Sequence, residues 1–217
     1  MRLLITGTSK GIGRTIALYF LDKGFEVVGL DILESSISNK LYTHYIADVS
    51  KKEELPEISN IDIIVNNAGK QTNTEEDIEV NLKGTINVCE KYLESPNLKS
   101  ILNMASASSI TGSEFSYYAA SKGGVVSYTK NLALRLASRK ILCNALSCGG
   151  VITESNKHIL ESNDLYQKVL NETLLNKWMT EEEVSEYVYF MTVINKSMTG
   201  ENILVDNGEA LKSNFIW

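Results

Sequence analysis

Tyr118 and Lys122 stand four residues apart in a stretch patterned as a long helix, residues 116–138. At about 3.6 residues per turn, this spacing puts the phenol and the ammonium on one helix face. A cation beside a phenol favours the phenolate and draws its pKa down from about 10. Such a pair suits general acid/base chemistry on a substrate oxygen near neutral pH. A tyrosine–lysine pair at this spacing also arises readily by chance, and Tyr118 is one of ten tyrosines, with Tyr117 beside it. Its weight comes from what lies upstream.

Upstream lies a glycine-rich turn, Thr6-Gly7-Thr8-Ser9-Lys10-Gly11-Ile12-Gly13, between an apolar run and a helix-patterned segment. Glycines allow a tight turn, close backbone approach to a pyrophosphate, and close helix–strand packing. The N-terminus of the following helix offers free N–H groups and a positive dipole end to phosphates. The spacing is G-x-x-x-G-x-G rather than G-x-G-x-x-G. The partner this implies is a dinucleotide that exchanges hydride. Asp31 ends the second apolar run, 18 residues after Gly13. A carboxylate there can accept hydrogen bonds from both adenosine ribose hydroxyls and would repel a 2′-phosphate. Lys10 and Arg14 pull the other way, since a basic side chain beside the turn could pair with that phosphate. The expectation is NAD(H) in preference to NADP(H).

The elements that must position these groups alternate along the chain. Strand patterns occupy 3–6, 26–31, 45–47, 61–66, 100–105, 141–147 and 203–205. Helical patterns cover 12–23, 75–93 and 116–138, and another helix starts near Thr180, where Thr180 and Glu183 form a capping box. Short apolar runs alternating with helices predict an α/β fold with a parallel sheet covered on both faces. The segment 151–178 has scattered leucines and no strand pattern. It reads as a short substrate lid of one or two helices outside the sheet. Its leucines, Tyr166 and Trp178 either line an apolar pocket or form the lid's own small core.

Length and composition fit one soluble domain over 1–217, with 43% apolar and 22% charged residues. The net charge of −6, scattered along the chain, argues against nucleic acid or an anionic membrane as the main partner. Cys89, Cys143 and Cys148 form no close pair, and His44 and His158 are the only histidines, so no metal site is expected and the thiols read as reduced and buried. Met1–Gly7 already reads as a strand entering its turn, and no apolar run approaches the ~20 residues of a membrane span. The expected location is the cytoplasm.

Together these residues resemble the short-chain dehydrogenase/reductase family, from Thr6 to about Gly208. The glycine turn resembles TGxxxGxG, and Asp48-Val49 resembles an acidic–apolar pair that contacts adenine. Asn66-Asn67-Ala68-Gly69 matches NNAG, and Asn81 with Gly84 matches the asparagine of the helix completing the active site. Ser106 falls where the family places its catalytic serine, and Tyr118-Ala119-Ala120-Ser121-Lys122 matches the YxASK-like motif. Met198-Thr199-Gly200 and Leu204-Val205-Asp206 resemble the last-strand signature.

The resemblance implies a Rossmann-like, doubly wound parallel sheet of about seven strands, order 3-2-1-4-5-6-7, in a three-layer α/β/α sandwich. It implies an oxidoreductase of a ketone or secondary alcohol, with a small-molecule substrate. The assembly it implies is a homotetramer or homodimer, built partly on the helices after strands four and five. Tyr118 is then the proton donor, Ser106 orients the substrate oxygen, and Lys122 lowers the tyrosine pKa and binds the nicotinamide ribose. Asn81 would hold a water linking Lys122 to solvent. The cofactor would lie along Gly7, Ser9, Lys10, Gly11, Ile12 and Gly13, then Asp31, Asp48 and Val49, then Asn67, Ala68 and Gly69, with Asn67 also bracing neighbouring strands.

Three departures stand out. Cys148-Gly149 replaces the usual Pro-Gly after the sixth strand, although Val151-Ile152-Thr153 still resembles the stretch that, with Gly149, binds the nicotinamide amide. Asp31 to Tyr45 is too short for the usual helix between strands two and three. Ser106 precedes Tyr118 by 12 residues, one fewer than expected, so Ser108 and Ser109 stay open as the functional hydroxyl. A non-catalytic nucleotide-binding scaffold or sensor is the alternative function, and the full set Asn81, Ser106, Tyr118 and Lys122 argues against it. An epimerase or dehydratase of a nucleotide-linked sugar would need more chain after Gly149.

Overall fold

The computed structural model describes residues 1–113 and 115–212. The apolar runs become strands β1 (Arg2–Thr6), β2 (Glu26–Asp31), β3 (Tyr42–Ile46), β4 (Ile63–Asn66), β5 (Ser100–Ser106), β6 (Leu142–Cys148) and β7 (Asn202–Val205). All seven are parallel in one sheet, in the order β3-β2-β1-β4-β5-β6-β7. The connection after β1 runs to β2 on one side and that after its neighbour β4 runs to β5 on the other, so the turn after β1 opens at the crevice where the strand order reverses.

Successive strand residues point to opposite faces, and each face has its own core. On one face Leu3, Ile5 and Val27 pack with Ile16 and Phe20 of α1 (Gly11–Asp22) and with Val184 and Val188 of α8 (Glu181–Tyr189). On the other, Leu4, Val28 and Ile64 meet Val88 and Cys89 of α3 (Thr85–Tyr92), with Leu132 of α5 (Ser116–Leu136). The helical stretch expected over 75–93 begins as α2 (Glu75–Asp77), widens to a π-helical turn at Ile78–Gly84, and continues as α3. A side chain on Gly84 would come within 2.6 Å of Val49, so the widened turn lies directly on the segment after β3. The remaining helices are short: α4 (Ser108–Thr111), α6 (Lys157–Leu160) and α7 (Asn163–Leu170), the last two in the expected lid.

No helix joins β2 and β3; residues 32–41 form a loop. Strand β3 starts at Tyr42, three residues before the expected 45–47, because an edge strand is half exposed and its periodicity is blurred. Ile37, Leu41 and Tyr42 cover the core on that side. The Tyr42 hydroxyl lies 2.8 Å from Thr8 Oγ1 and 3.0 Å from His44 Nδ1. It fits only because position 29 is glycine, where a Cβ would fall 2.1 Å from that hydroxyl. Among the described residues no helix is long and apolar enough to cross a membrane.

Candidate active site

The turn after β1 is held by its neighbour β4. Gly7 has φ +76° and donates its N–H to Leu30 O at 2.7 Å. Thr6 Oγ1 accepts from the backbone N–H groups of Asn67 (3.0 Å) and Ala68 (2.9 Å). Asn67 Nδ2 donates back to Thr6 O at 3.0 Å and Gly7 O at 3.3 Å. Asn67 therefore braces the turn. A Cβ on Gly13 would fall 2.0 Å from Gly7 O, so only glycine lets α1 approach this closely. Gly11, at φ +61°, faces open space with only Glu181 Oε1 within 4 Å of a Cβ position. Lys10 caps α1 without a side-chain bond, leaving the first N–H groups of the helix available. This cradle fits a dinucleotide pyrophosphate. Gly13→Ala is expected to destabilise the protein by about 3 kcal/mol, the upper end of overpacking costs because the clash is with backbone; urea unfolding checks it.

Asp31, half-buried at the end of β2, accepts from Ser9 N at 2.9 Å and from Leu33 N at 3.0 Å. Its carboxylate thus stands directly beside the turn. Arg14 Nε donates to Ser36 Oγ at 2.8 Å, and Lys10 is exposed. A cleft of about 580 Å³ runs from Ser9, Gly11 and Arg14 to Ile152 and Thr153.

At the far side of β1 the polar residues of α5 meet the end of β5. Lys122 is buried, and its Nζ donates to Met104 O at 2.9 Å and lies 5.7 Å from the centre of the Tyr118 ring. Burial draws the Lys122 ammonium down from 10.5 to about 8. Tyr118 is half-buried. A Cβ on Gly69 would stand 3.5 Å from Lys122 Nζ and 3.1 Å from Asn81 Oδ1, so the loop after β4 reaches both residues. Asn81, on the π-helical turn, accepts from Lys70 N (2.7 Å) and donates to Lys70 O (2.8 Å) and Ser121 Oγ (3.0 Å). Both its amide hydrogens are committed, tying the loop after β4 to α5. Ser106 ends β5 and is half-buried, whereas Ser108 is buried and donates to Ser106 Oγ at 3.0 Å. Ser109 lies 3.2 Å from Ser147 Oγ. Accepting from Ser108 leaves the Ser106 hydroxyl its own proton to donate.

A family model described as enoyl-(acyl carrier protein) reductase matches residues 7–209. The chain belongs to the short-chain dehydrogenase/reductase family. It is 30% identical to the 3-oxoacyl-(acyl-carrier-protein) reductase FabG of Thermotoga maritima, over 94% of this chain and 96% of that one. The solved structure of a short chain dehydrogenase family protein from Francisella tularensis superimposes with TM-score 0.87 at 26% identity, covering 97% of this chain and 99% of the other. A structure of 4-hydroxyisoleucine dehydrogenase complexed with NADH shares the fold, with TM-score 0.86 at 23% identity over 98% of this chain and 99% of that one.

Other features of this short-chain dehydrogenase/reductase were not visible in its motifs. Asn66 Nδ2 donates to Asn103 Oδ1 at 2.8 Å, and Asn103 Nδ2 to Thr129 Oγ1 at 2.8 Å. This buried chain locks together β4, whose following loop holds Gly69, β5, which ends at Ser106, and α5, which carries Lys122. The signal for it was an asparagine inside each of two apolar strands, a placement that demands partners. Asp48 accepts from the Ser50 amide (2.9 Å) and hydroxyl (2.7 Å). Burial works to raise its carboxyl, but those bonds prevail and hold it below the usual range. Val49 is buried in the core beside Gly84.

In the loops that face the site, a Cβ on Gly149 would fall 2.8 Å from Asp206, and one on Gly150 would fall 2.2 Å from Trp178 Nε1. Val151 pairs with Met179, and Ile152 N donates to Met179 O at 2.8 Å, so both ends of the lid are anchored together. Trp178 therefore packs on the loop after β6 and Leu174 on Gly208, while Leu174 and Leu175 stay 53% and 67% exposed, so these two leucines form no buried core within the lid. Tyr166 is half-buried.

Proposed function

We propose that this protein interconverts a ketone and a secondary alcohol with NAD(H), Tyr118 acting as general acid/base, and that a 3-oxoacyl thioester is its substrate in the reducing direction. The observation that carries the chemistry is the buried ammonium of Lys122 held against the Tyr118 face. A bound nicotinamide supplies the hydride. The chain's own residues manage the oxygen: Tyr118 protonates it as negative charge develops, and Ser106 donates the hydrogen bond that orients it. Lys122 favours the phenolate left behind. Asn81 keeps the loop after β4 registered on α5, which positions Lys122.

Similarity to the Thermotoga reductase along nearly the whole chain supports the acyl substrate. The exposed apolar side chains of Ile110, Phe115 and Tyr117, leading into the catalytic helix, suit an acyl chain. The choice of NAD(H) rests on Asp31 standing beside the turn. Asp31→Ala is expected to lower the preference for NADH over NADPH, read from separate titrations of each dinucleotide. An unchanged ratio would assign the choice to another residue. The direct test is NADH oxidation with a 3-oxoacyl thioester. Binding of neither dinucleotide would favour a scaffold instead.

A further inference from the structure

We infer that Glu181 weakens dinucleotide binding by holding a competing negative charge at the N-terminus of α1, and so sets how fast the bound cofactor leaves. This rests on the glycine turn being the dinucleotide site.

Glu181 is 166 residues from Thr15 in sequence, yet Thr15 Oγ1 donates to Glu181 Oε2 at 2.6 Å. Its other oxygen lies 3.8 Å from the Cβ position of Gly11. Glu181 lines the same cleft as Ser9, Lys10 and Gly11. Helix α1 has no acidic residue in its own first turn and no side-chain cap. The carboxylate at its positive end is thus supplied from across the fold. Anions are favoured at a helix N-terminus, and a phosphate arriving there meets a charge of its own sign. Among the described residues Glu181 forms no ion pair that would neutralise it. Its own helix does not need it there, because Thr180 and Glu183 already complete the capping box of α8. Lys10 and Arg14 supply the attraction, and Glu181 offsets part of it.

Glu181→Gln keeps an oxygen able to accept from Thr15 but removes the charge. In the full chain, we expect the variant to bind NADH roughly tenfold more tightly at low ionic strength, with slower NADH dissociation by stopped flow. The gap should narrow in high salt, where screening weakens the repulsion. Thr15→Val keeps the charge and removes only its tether, and should tighten binding by less. The melting temperature of the ligand-free variants checks that both fold. Wild-type affinity in a folded Glu181→Gln, or weaker binding, would overturn the inference and make Glu181 a brace between α1 and α8. Failure of wild-type protein to bind either dinucleotide is a different result, and would overturn the dinucleotide site itself together with this role.

Discussion

Tyr118→Phe is expected to lower kcat by on the order of 10²- to 10⁴-fold, the range that a positioned general acid contributes, while NADH affinity stays close to wild type. The substitution removes one oxygen from a half-buried ring and leaves the ring's packing intact. The turn at Gly7–Gly13 and Asp31 are built on the ends of β1 and β2, whereas Tyr118 stands on α5. The loss should therefore appear in kcat and not in cofactor binding. Retained turnover would remove Tyr118 from proton transfer. Ser106→Ala provides the companion measurement: in the role proposed for it Ser106 orients the oxygen without moving a proton, so it should lose less than Tyr118→Phe.

Lys122→Met should abolish efficient turnover and yet leave the protein at least as stable at pH 7. Burial holds the ammonium down from 10.5 to about 8. An unfolded chain therefore binds more protons than the folded one between those values, and stability rises with pH across that window. The cost of keeping the charged ammonium inside is complete below about pH 8 and is relieved as pH climbs toward 10.5. At pH 7 it amounts to about 3 kcal/mol, taken as the shift multiplied by 1.36 kcal/mol per unit. Losing the bond to Met104 O costs about 1–3 kcal/mol in the other direction. The decisive reading is the difference between the two proteins in urea unfolding at several pH values. The advantage of Lys122→Met should be largest below pH 8 and should shrink above it; a difference independent of pH would mean the ammonium is not penalised by its surroundings. Stability given up for a charge beside the phenol is the pattern expected of a site selected for chemistry.

Much of this was legible in the residues. Local chemistry placed the glycine turn at Gly7, Gly11 and Gly13 between a strand and a helix, and helical spacing put Tyr118 and Lys122 on one face. The lack of chain between Asp31 and Tyr45 excluded a crossover helix, and Thr180 with Glu183 marked the start of α8. These are properties of a segment and its own backbone, where period and capping act over a few residues.

Tertiary structure alone decided the rest. It distinguished Ser106, half-exposed at the end of β5, from Ser108, buried behind it. It turned Asn81 toward Lys70 and Ser121, joined Asn66 to Asn103 and Thr129, and brought Glu181 to Thr15. Each of these depends on which strand lies beside which and on how far a helix can approach. Periodicity reports only that a side chain is buried. Its partner is set by crossovers that bring together residues tens to hundreds of positions apart, and by glycines that let two backbones close to contact.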